Sequence, residues 1–224
     1  MELNRLMFRE YDIRGIWNED ITEEISYHIG RAYATKLLSF GKNKMIVGYD
    51  NRLSSPIIEE NLVKGLTDGG VNVVRLGLVT TPMYYYAWDK LNIHAGIMIT
   101  ASHNPKEYNG FKMSYNGIHN MFGKDVSDLY YVIINGIYSE GNGTIEYADI
   151  KEDYVKMIHN HIDMGNNKLK VVYDCGNGTT SIVAHDIFKS NEYIEYIPIF
   201  DESDGTFPNH HPDPAVEELS LIHI

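Results

Sequence analysis

A short apolar strand, a helix and a second apolar strand follow one another between residues 45 and 76, and this alternation constrains the fold more than any other feature. The first strand, residues 45–50, ends in Asp50, and the second, residues 71–76, begins after a glycine pair. Ser55 is predicted to cap the helix between them, with Pro56 in its first turn. A strand–helix–strand unit predicts two parallel strands joined by a right-handed crossover.

The same design occurs a second time near the end of the chain. Residues 169–174 are again an apolar strand with an aspartate at its end, followed by a polar turn, a helix over 181–188 and a strand over 195–200. The turn contains Gly-Asn-Gly, but it lacks the spacing and the lysine of a nucleotide-binding loop. Two copies of one α/β unit predict tandem α/β/α domains with mixed, mainly parallel sheets.

The domain boundaries follow from this repeat and from the turn at residues 141–143. We place the first domain at residues 1–147 and an incomplete second domain at residues 148–218. The last six residues, 219–224, are expected to be a non-native tail. They equal the translation of the end sequence of a common transposase-based library adapter, so the native sequence is expected to diverge there.

Composition limits the partners that such a chain can have. Nineteen basic and thirty-one acidic residues give a formal net charge of −12, which disfavours nucleic acids and anionic membranes as partners. The single cysteine, Cys175, excludes an internal disulfide and favours a cytoplasmic location. No apolar run approaches the length of a membrane span, and the N-terminus has no signal-like apolar segment.

A further apolar run, residues 97–99, is predicted as a buried strand that breaks at once into small and polar residues. Ligands of α/β sheets bind at the carboxyl ends of the strands. Ser102 would therefore lie on a tight loop at the sheet edge, with His103 beside it and the side chain of Asn104 fixing the turn. Taken alone, a Ser-His pair is more often part of a turn or a helix cap.

Three cationic side chains are candidates for the same edge. Arg14 precedes Gly15, and its planar guanidinium suits a phosphate, although an edge strand with solvated charges is the plain alternative. Arg52 follows Asp50 by two residues and could simply pair with it. Lys112 lies in a strand predicted over residues 108–113, where a lysine is normally solvated.

Together these motifs resemble the α-D-phosphohexomutases, the family of phosphoglucomutases and phosphomannomutases. The run Thr-Ala-Ser-His-Asn-Pro at residues 100–105 is similar to the family's phosphoserine signature, and residues 8–15 are similar to its opening motif. The Tyr-Asn-Gly-Phe-Lys pattern before Met113 also resembles a pattern that the family carries near its phosphoserine. The run at residues 207–214 resembles the phosphomannomutase/phosphoglucomutase branch, and the resemblance extends from Phe8 to about residue 218.

The resemblance implies a phosphoryl-transfer mechanism. A serine carries a phosphoryl group, donates it to a hexose 1- or 6-phosphate, and retrieves the other phosphoryl group from the bisphosphate intermediate. It implies that the catalytic residues are Ser102, His103, Lys112 and Arg14, and that the substrate- or phosphate-binding residues are Tyr11, Arg52 and Asn104. It also implies Mg²⁺ as the cofactor, contacted through the phosphoryl group on Ser102, and hexose phosphates as the partners.

Some parts that the resemblance calls for do not occur in the sequence. Family members have four domains and an Asp-Gly-Asp-type metal loop, and this chain matches one domain and most of a second, with no such loop. We therefore expect an amino-terminal fragment that is inactive without the missing carboxyl-terminal domains. The alternatives are phosphoglucosamine mutase of the same family and a non-catalytic sugar-phosphate-binding module. A serine hydrolase is disfavoured because the Gly-x-Ser-x-Gly elbow is absent.

Overall fold

The computed structural model describes residues 3–115, 120–162, 167–189 and 193–216. The predicted tail at residues 219–224 lies outside the described residues. The strands are β1 (Ile13–Ile16), β2 (Lys44–Tyr49), β3 (Asn72–Leu78), β4 (Gly96–Ile99), β5 (Tyr108–Ser114), β6 (Ile145–Tyr147), β7 (Leu169–Asp174) and β8 (Ile194–Ile199). The helices are α1 (Glu23–Ser39), α2 (Ser55–Asp68), α3 (Thr81–Leu91), α4 (Lys124–Asn135), α5 (Lys151–His161) and α6 (Ser181–Lys189), after a 3₁₀ turn at Arg5–Met7.

Two separate sheets are present among the described residues. The larger sheet has the strand order β1-β5-β4-β2-β3-β6, and the smaller one pairs β7 with β8. Strands β4, β2, β3 and β6 run parallel, whereas β5 is antiparallel to both β1 and β4. Strands β7 and β8 are parallel as well. The predicted α/β class with mixed, mainly parallel sheets is therefore confirmed.

Threonine side chains cap the first turns of two helices. Thr22 caps α1 by accepting a hydrogen bond from the Ile25 amide at 3.2 Å, and Thr80 caps α3 by accepting one from Met83 at 3.3 Å. The predicted cap of α2 is wrong by one residue. Ser55 is the first helical residue, and its hydroxyl donates to the Asp50 carboxylate at 2.7 Å instead of capping the helix.

Successive side chains of the central strands point to opposite faces of the large sheet, so the apolar core has one part on each face. Met45 and Val47 of β2 pack on one side among α1, α2 and α4, while Ile46 packs on the other side with α3. Helices α1 and α2 approach closely because each carries a glycine at the crossing. A Cβ on Gly30 or Gly65 would lie 2.3 Å or 2.1 Å from a carbonyl oxygen of the opposite helix.

The second α/β unit packs against the α3 side of the large sheet. Ile150, just before α5, and Val183 of α6 belong to the same apolar cluster as Met83 of α3 and Met98 of β4. We call residues 3–147 the first unit and residues 148–216 the second unit; the domain boundary itself stays a prediction. No helix in the described part of the chain is both long enough and apolar enough to cross a membrane.

Candidate active site

The loop that follows β4, residues 100–108, is called the Ser102 loop below. Ser102 has a backbone φ of 57°, in the left-handed region that costs a residue other than glycine on the order of 1–3 kcal/mol. Its amide donates to the Thr100 hydroxyl at 3.0 Å, and the Asn104 amide donates to the Ala101 carbonyl at 3.1 Å. The Ser102 side chain is exposed, so the tight turn presents its hydroxyl to solvent at the carboxyl edge of the sheet.

His103 lies beside the serine hydroxyl. Its Nδ1 is 3.3 Å from Ser102 Oγ, and both side chains are exposed. At this distance the imidazole can exchange a proton with the hydroxyl, with the direction set by the tautomer. The sequence placed this pair on one loop, and the structure brings the two polar atoms into contact.

Arg14 of β1 reaches the same loop from the opposite strand. Its Nη1 donates to the Asn104 side-chain oxygen at 2.7 Å, and its Nη2 forms an ion pair with Asp12. The side chain is only 10% exposed, and its Nε is buried without a hydrogen-bond partner among the described residues. An unpaired buried N–H is costly, because it has lost its hydrogen bonds to water.

The Arg52 guanidinium contacts the protein's own backbone. It is 1% exposed, forms an ion pair with Asp50, and directs its remaining donors at backbone carbonyls of the Ser102 loop. The bridge to Asp50, which the sequence left open, is therefore present. The phosphate-binding role of Arg52 stays a prediction.

The other two predicted residues, Lys112 and Tyr11, are located by their positions relative to the strands. Lys112 of β5 pairs with Met98 of β4, and Ser102 follows Met98 by four residues, at most about 14 Å along an extended chain. Its neighbours Phe111 and Met113 belong to the core on the α1 side, so Lys112 lies on the α3 side, as Met98 does. Tyr11 is 69% exposed and lies two residues before the start of β1.

A cleft of about 360 Å³ lies between the two units and opens onto Ser102 and His103. The first residues of α3 and the residues just before α6 form opposite walls, and both contribute hydroxyl groups: Thr80, Thr81, Thr179 and Thr180. Sequence reasoning missed these hydroxyls as cleft residues. The Thr-Thr doublet ahead of each helix is the sequence signal that could have found them.

Asn51, which the sequence analysis did not select, connects the two units. Its amide donates to the Thr179 hydroxyl at 3.0 Å, and its side-chain nitrogen donates to the Asn177 carbonyl at 2.7 Å. Gly205 packs so closely on this segment that an added Cβ would lie 2.2 Å from the Asn51 carbonyl oxygen. The second unit therefore contacts the segment that carries Arg52.

The described residues do not form a metal centre by themselves. No group of three or more histidine, cysteine, aspartate or glutamate side chains among them is arranged to hold an ion. They also offer no second strong nucleophile in the cleft region. Burial, with added repulsion from Asp201 and Asp174, raises the pKa of the Cys175 thiol to about 11, so the thiol is protonated at neutral pH.

Comparison with known proteins agrees with this architecture. Residues 5–129 match the family description phosphoglucomutase/phosphomannomutase, alpha/beta/alpha domain I, and residues 152–223 match domain II. The chain is 42% identical over 212 residues to the phosphomannomutase/phosphoglucomutase of Pseudomonas putida, covering 95% of this chain and 45% of that protein. It is 40% identical over 215 residues to the phosphoglucomutase of Neisseria meningitidis serogroup B, covering 94% and 46%.

A solved structure gives the same result. The crystal structure of a phosphoglucomutase/phosphomannomutase family protein from Burkholderia thailandensis matches with a TM-score of 0.91 and 35% identity, over 97% of this chain and 48% of that one. The chain spans about half the length of the curated relatives it matches. The two family matches together cover most of the sequence, so the protein belongs to the phosphoglucomutase/phosphomannomutase family.

Proposed function

We propose that the whole protein is a phosphohexomutase that interconverts hexose 1-phosphate and hexose 6-phosphate through a phosphoserine at Ser102. The observation that carries the proposal is the exposed serine in a left-handed backbone conformation at the end of β4, with His103 3.3 Å from its hydroxyl. The guanidinium of Arg14, a largely buried cation whose Nη1 is bonded to the same loop through Asn104, supports an anion at this place.

The proposed reaction has two symmetrical halves. In the first, the bond between phosphorus and Ser102 Oγ breaks while a bond to a sugar hydroxyl oxygen forms, and the proton of that hydroxyl passes to a base. The serine oxygen takes up a proton, for which His103 is positioned. In the second half, Ser102 attacks the other phosphoryl group of the sugar bisphosphate, and the same groups act in reverse.

Cationic residues would stabilise the charge of the moving phosphoryl group. Arg14 suits this role because its side chain is largely buried, where an ionic interaction is stronger than in water. Lys112 and Tyr11 remain proposals on the basis of the family resemblance, Lys112 as a cation near the cleft and Tyr11 as a substrate contact. Asn104 stays proposed as a substrate- or phosphate-binding residue, and its side chain also orients Arg14 through the 2.7 Å hydrogen bond.

Mg²⁺ is part of the proposal as the cofactor, with the phosphoryl group on Ser102 as one ligand. The described residues do not supply the remaining ligand set, and the sequence has no Asp-Gly-Asp loop. We therefore derive no step through the metal. For the same reason we propose that the 224-residue chain alone gives no mutase turnover and that carboxyl-terminal domains like those of its longer relatives complete the site.

The proposed substrates are mannose and glucose phosphates, since the relatives are named phosphomannomutase/phosphoglucomutase and phosphoglucomutase. Phosphoglucosamine mutase is the alternative within the family, and a sugar-phosphate-binding module is the alternative without catalysis. A cytoplasmic location stays a prediction from the single cysteine.

The test uses the protein expressed from its complete gene. Incubation with glucose 1,6-bisphosphate and Mg²⁺ is expected to add one phosphoryl group, located by peptide mass spectrometry at Ser102. A coupled assay is expected to convert mannose 1-phosphate or glucose 1-phosphate to the 6-phosphate. Binding of sugar phosphates without phosphate on Ser102 would establish the binding module instead.

A further inference from the structure

We propose that Arg52 is a positioning residue that sets the backbone conformation of the Ser102 loop. Its effect on stability and loop order is independent of any activity, whereas its effect on catalysis rests on the proposed function. The inference comes from how completely the guanidinium is used within the protein.

A guanidinium has five N–H donors in one plane. Each of these finds an acceptor in the described structure. Nε donates to the Asp50 carboxylate at 3.1 Å, which fixes the plane of the group. The other four bonds end on carbonyl oxygens of the Ser102 loop: Ser102 at 3.0 Å, Asn104 at 2.7 Å, Pro105 at 2.6 Å and Tyr108 at 3.1 Å.

These bonds act at the residue whose backbone is strained. Arg52 bonds to the carbonyl of Ser102, and the Thr100 hydroxyl accepts from the amide of Ser102, so side chains contact both polar backbone atoms of this residue. A left-handed conformation outside glycine persists only where the surroundings over-determine it. Arg52 supplies a large share of that constraint, because it reaches four carbonyls from one rigid plane.

Arg52 is itself kept in place from both sides. Asp50 also accepts the Arg52 amide at 3.1 Å, and the Ser55 hydroxyl donates to the same carboxylate oxygen at 2.7 Å. From the second unit, the Phe207 ring lies 5.4 Å from the Arg52 guanidinium carbon, within the range of a cation–π contact. The side chain is 1% exposed, so solvent offers no alternative partners for these donors.

Lysine cannot replace this arrangement. Its ammonium has three donors on a single atom, so Arg52→Lys leaves at least two of the five acceptors without their bond. The charge and most of the length remain, which separates the planar geometry from the electrostatic contribution. Arg75→Lys is the control, because Arg75, whose side chain is 22% exposed, is also paired with a carboxylate, Glu59, but away from the Ser102 loop.

Hydrogen exchange of the chain tests the loop directly. The amides of Asn104 and Tyr108, which donate within the loop, are expected to exchange at least about tenfold faster in Arg52→Lys and at the wild-type rate in Arg75→Lys. Unchanged exchange at these amides in a folded Arg52→Lys protein would overturn the proposal. This readout does not depend on the proposed function.

Kinetics of the protein from its complete gene test the catalytic consequence. Arg52→Lys is expected to lower kcat about 100-fold with KM changed less than about threefold, because misplacement of the serine affects the transition state more than binding. Arg75→Lys is expected to stay within about twofold of the wild type, since it leaves the loop unchanged. Wild-type kcat in Arg52→Lys contradicts the positioning role.

A second variant covers the case in which Arg52→Lys does not fold. Asp50→Asn keeps Arg52 and its four carbonyl bonds but removes the charge that orients Nε, and it is expected to give an intermediate rise in loop exchange. No rise in this variant, with Arg52→Lys unfolded, also counts against the proposal. A wild-type protein without phosphate on Ser102 would reject the proposed function, and the exchange experiment would still decide the role of Arg52.

Discussion

The first and second units repeat one design but bury it to different degrees. In the first unit, β4 is buried at every residue and β2 at all but its two end residues, as expected for central parallel strands. In the second unit, β7 and β8 have no fully buried residue, and Leu169 and Val172 are each 48% exposed. Helix α5 likewise buries none of its residues, although it is as long as α3.

The number of strands accounts for this difference. The six-stranded sheet of the first unit has central strands that are covered on both faces. In the two-stranded sheet of the second unit, β7 and β8 are both edge strands. The serine loop and its arginines lie on the well-buried unit, while the second unit supplies the opposite wall of the cleft. Ser102 thus lies on the well-buried unit, and the wall that faces it belongs to the more exposed unit.

The largest expected effect tests the assignment of the nucleophile to the first unit. Ser102→Ala is expected to lower phosphate incorporation from glucose 1,6-bisphosphate at least about 10³-fold, because the acceptor oxygen is removed. Cys175→Ala in the second unit is the control and is expected to incorporate phosphate normally. Intact-mass measurement of both variants determines whether each carries a phosphoryl group. Phosphate on the Ser102→Ala protein would contradict the assignment.

The next prediction compares the two cores. Leu62→Ala, at a fully buried position of α2, is expected to lower the free energy of unfolding by about 2–5 kcal/mol. Val172→Ala, at a position 48% exposed on β7, is expected to cost less than about 1 kcal/mol. Urea unfolding monitored by far-UV circular dichroism measures both, and equal losses would contradict the difference in burial.

Removing the contact between the two units is expected to lower the free energy of unfolding by a smaller amount. Asn51→Ala removes the side-chain bond to the Asn177 carbonyl and the acceptor of the Thr179 hydroxyl, with an expected cost of about 1–2 kcal/mol. Exchange of amides near Thr179 is expected to rise more than exchange in β4. Asn61→Ala, which removes a single exposed bond within α2, is the control, and an equal exchange pattern in both variants would refute the link.

The smallest effect concerns ion pairs within the second unit. Hydrogen bonds from Lys151 and Lys189 lower the pKa of the Asp186 carboxyl to about 2. Because the folded pKa lies below the unfolded value, this contribution is present above about pH 4 and is lost as the pH falls toward 2. Solvent screens the pairs, so Asp186→Asn is expected to cost less than about 1 kcal/mol near pH 7 and only a small part of that near pH 2, where the carboxyl is about half protonated. An equal cost at both pH values would disprove the ionic origin.

Local pattern predicted much of the first unit. The apolar runs predicted β2, β3 and β4, because a short run of apolar residues is a signal that lies within the strand itself. The place of β6 in the first sheet was not predicted. This strand has three exposed residues, so it carries no alternation that would indicate burial.

In the candidate site too, the features that depend on neighbouring residues were predictable and those that depend on distant residues were not. Ser102, His103 and Asn104 are adjacent, so their common loop could be predicted from the sequence. The orientation of the Arg52 side chain could not be predicted from the sequence. A pairing with Asp50 is compatible with a guanidinium that faces solvent and with one that faces the loop. The bond between Asn51 and Thr179 joins residues 128 positions apart, and a single sequence contains no local signal for such a contact.

The bonds from Arg52 to the Ser102 loop also bear on the order of folding. They connect residues 50 or more positions apart, across α2, β3, α3 and β4. Closing a segment of this length is entropically unfavourable until the intervening strands have paired. The strained serine backbone is therefore expected to form late. In refolding, the capacity to accept phosphate should lag behind recovery of the far-UV signal, and simultaneous recovery would show that the loop forms together with the sheet.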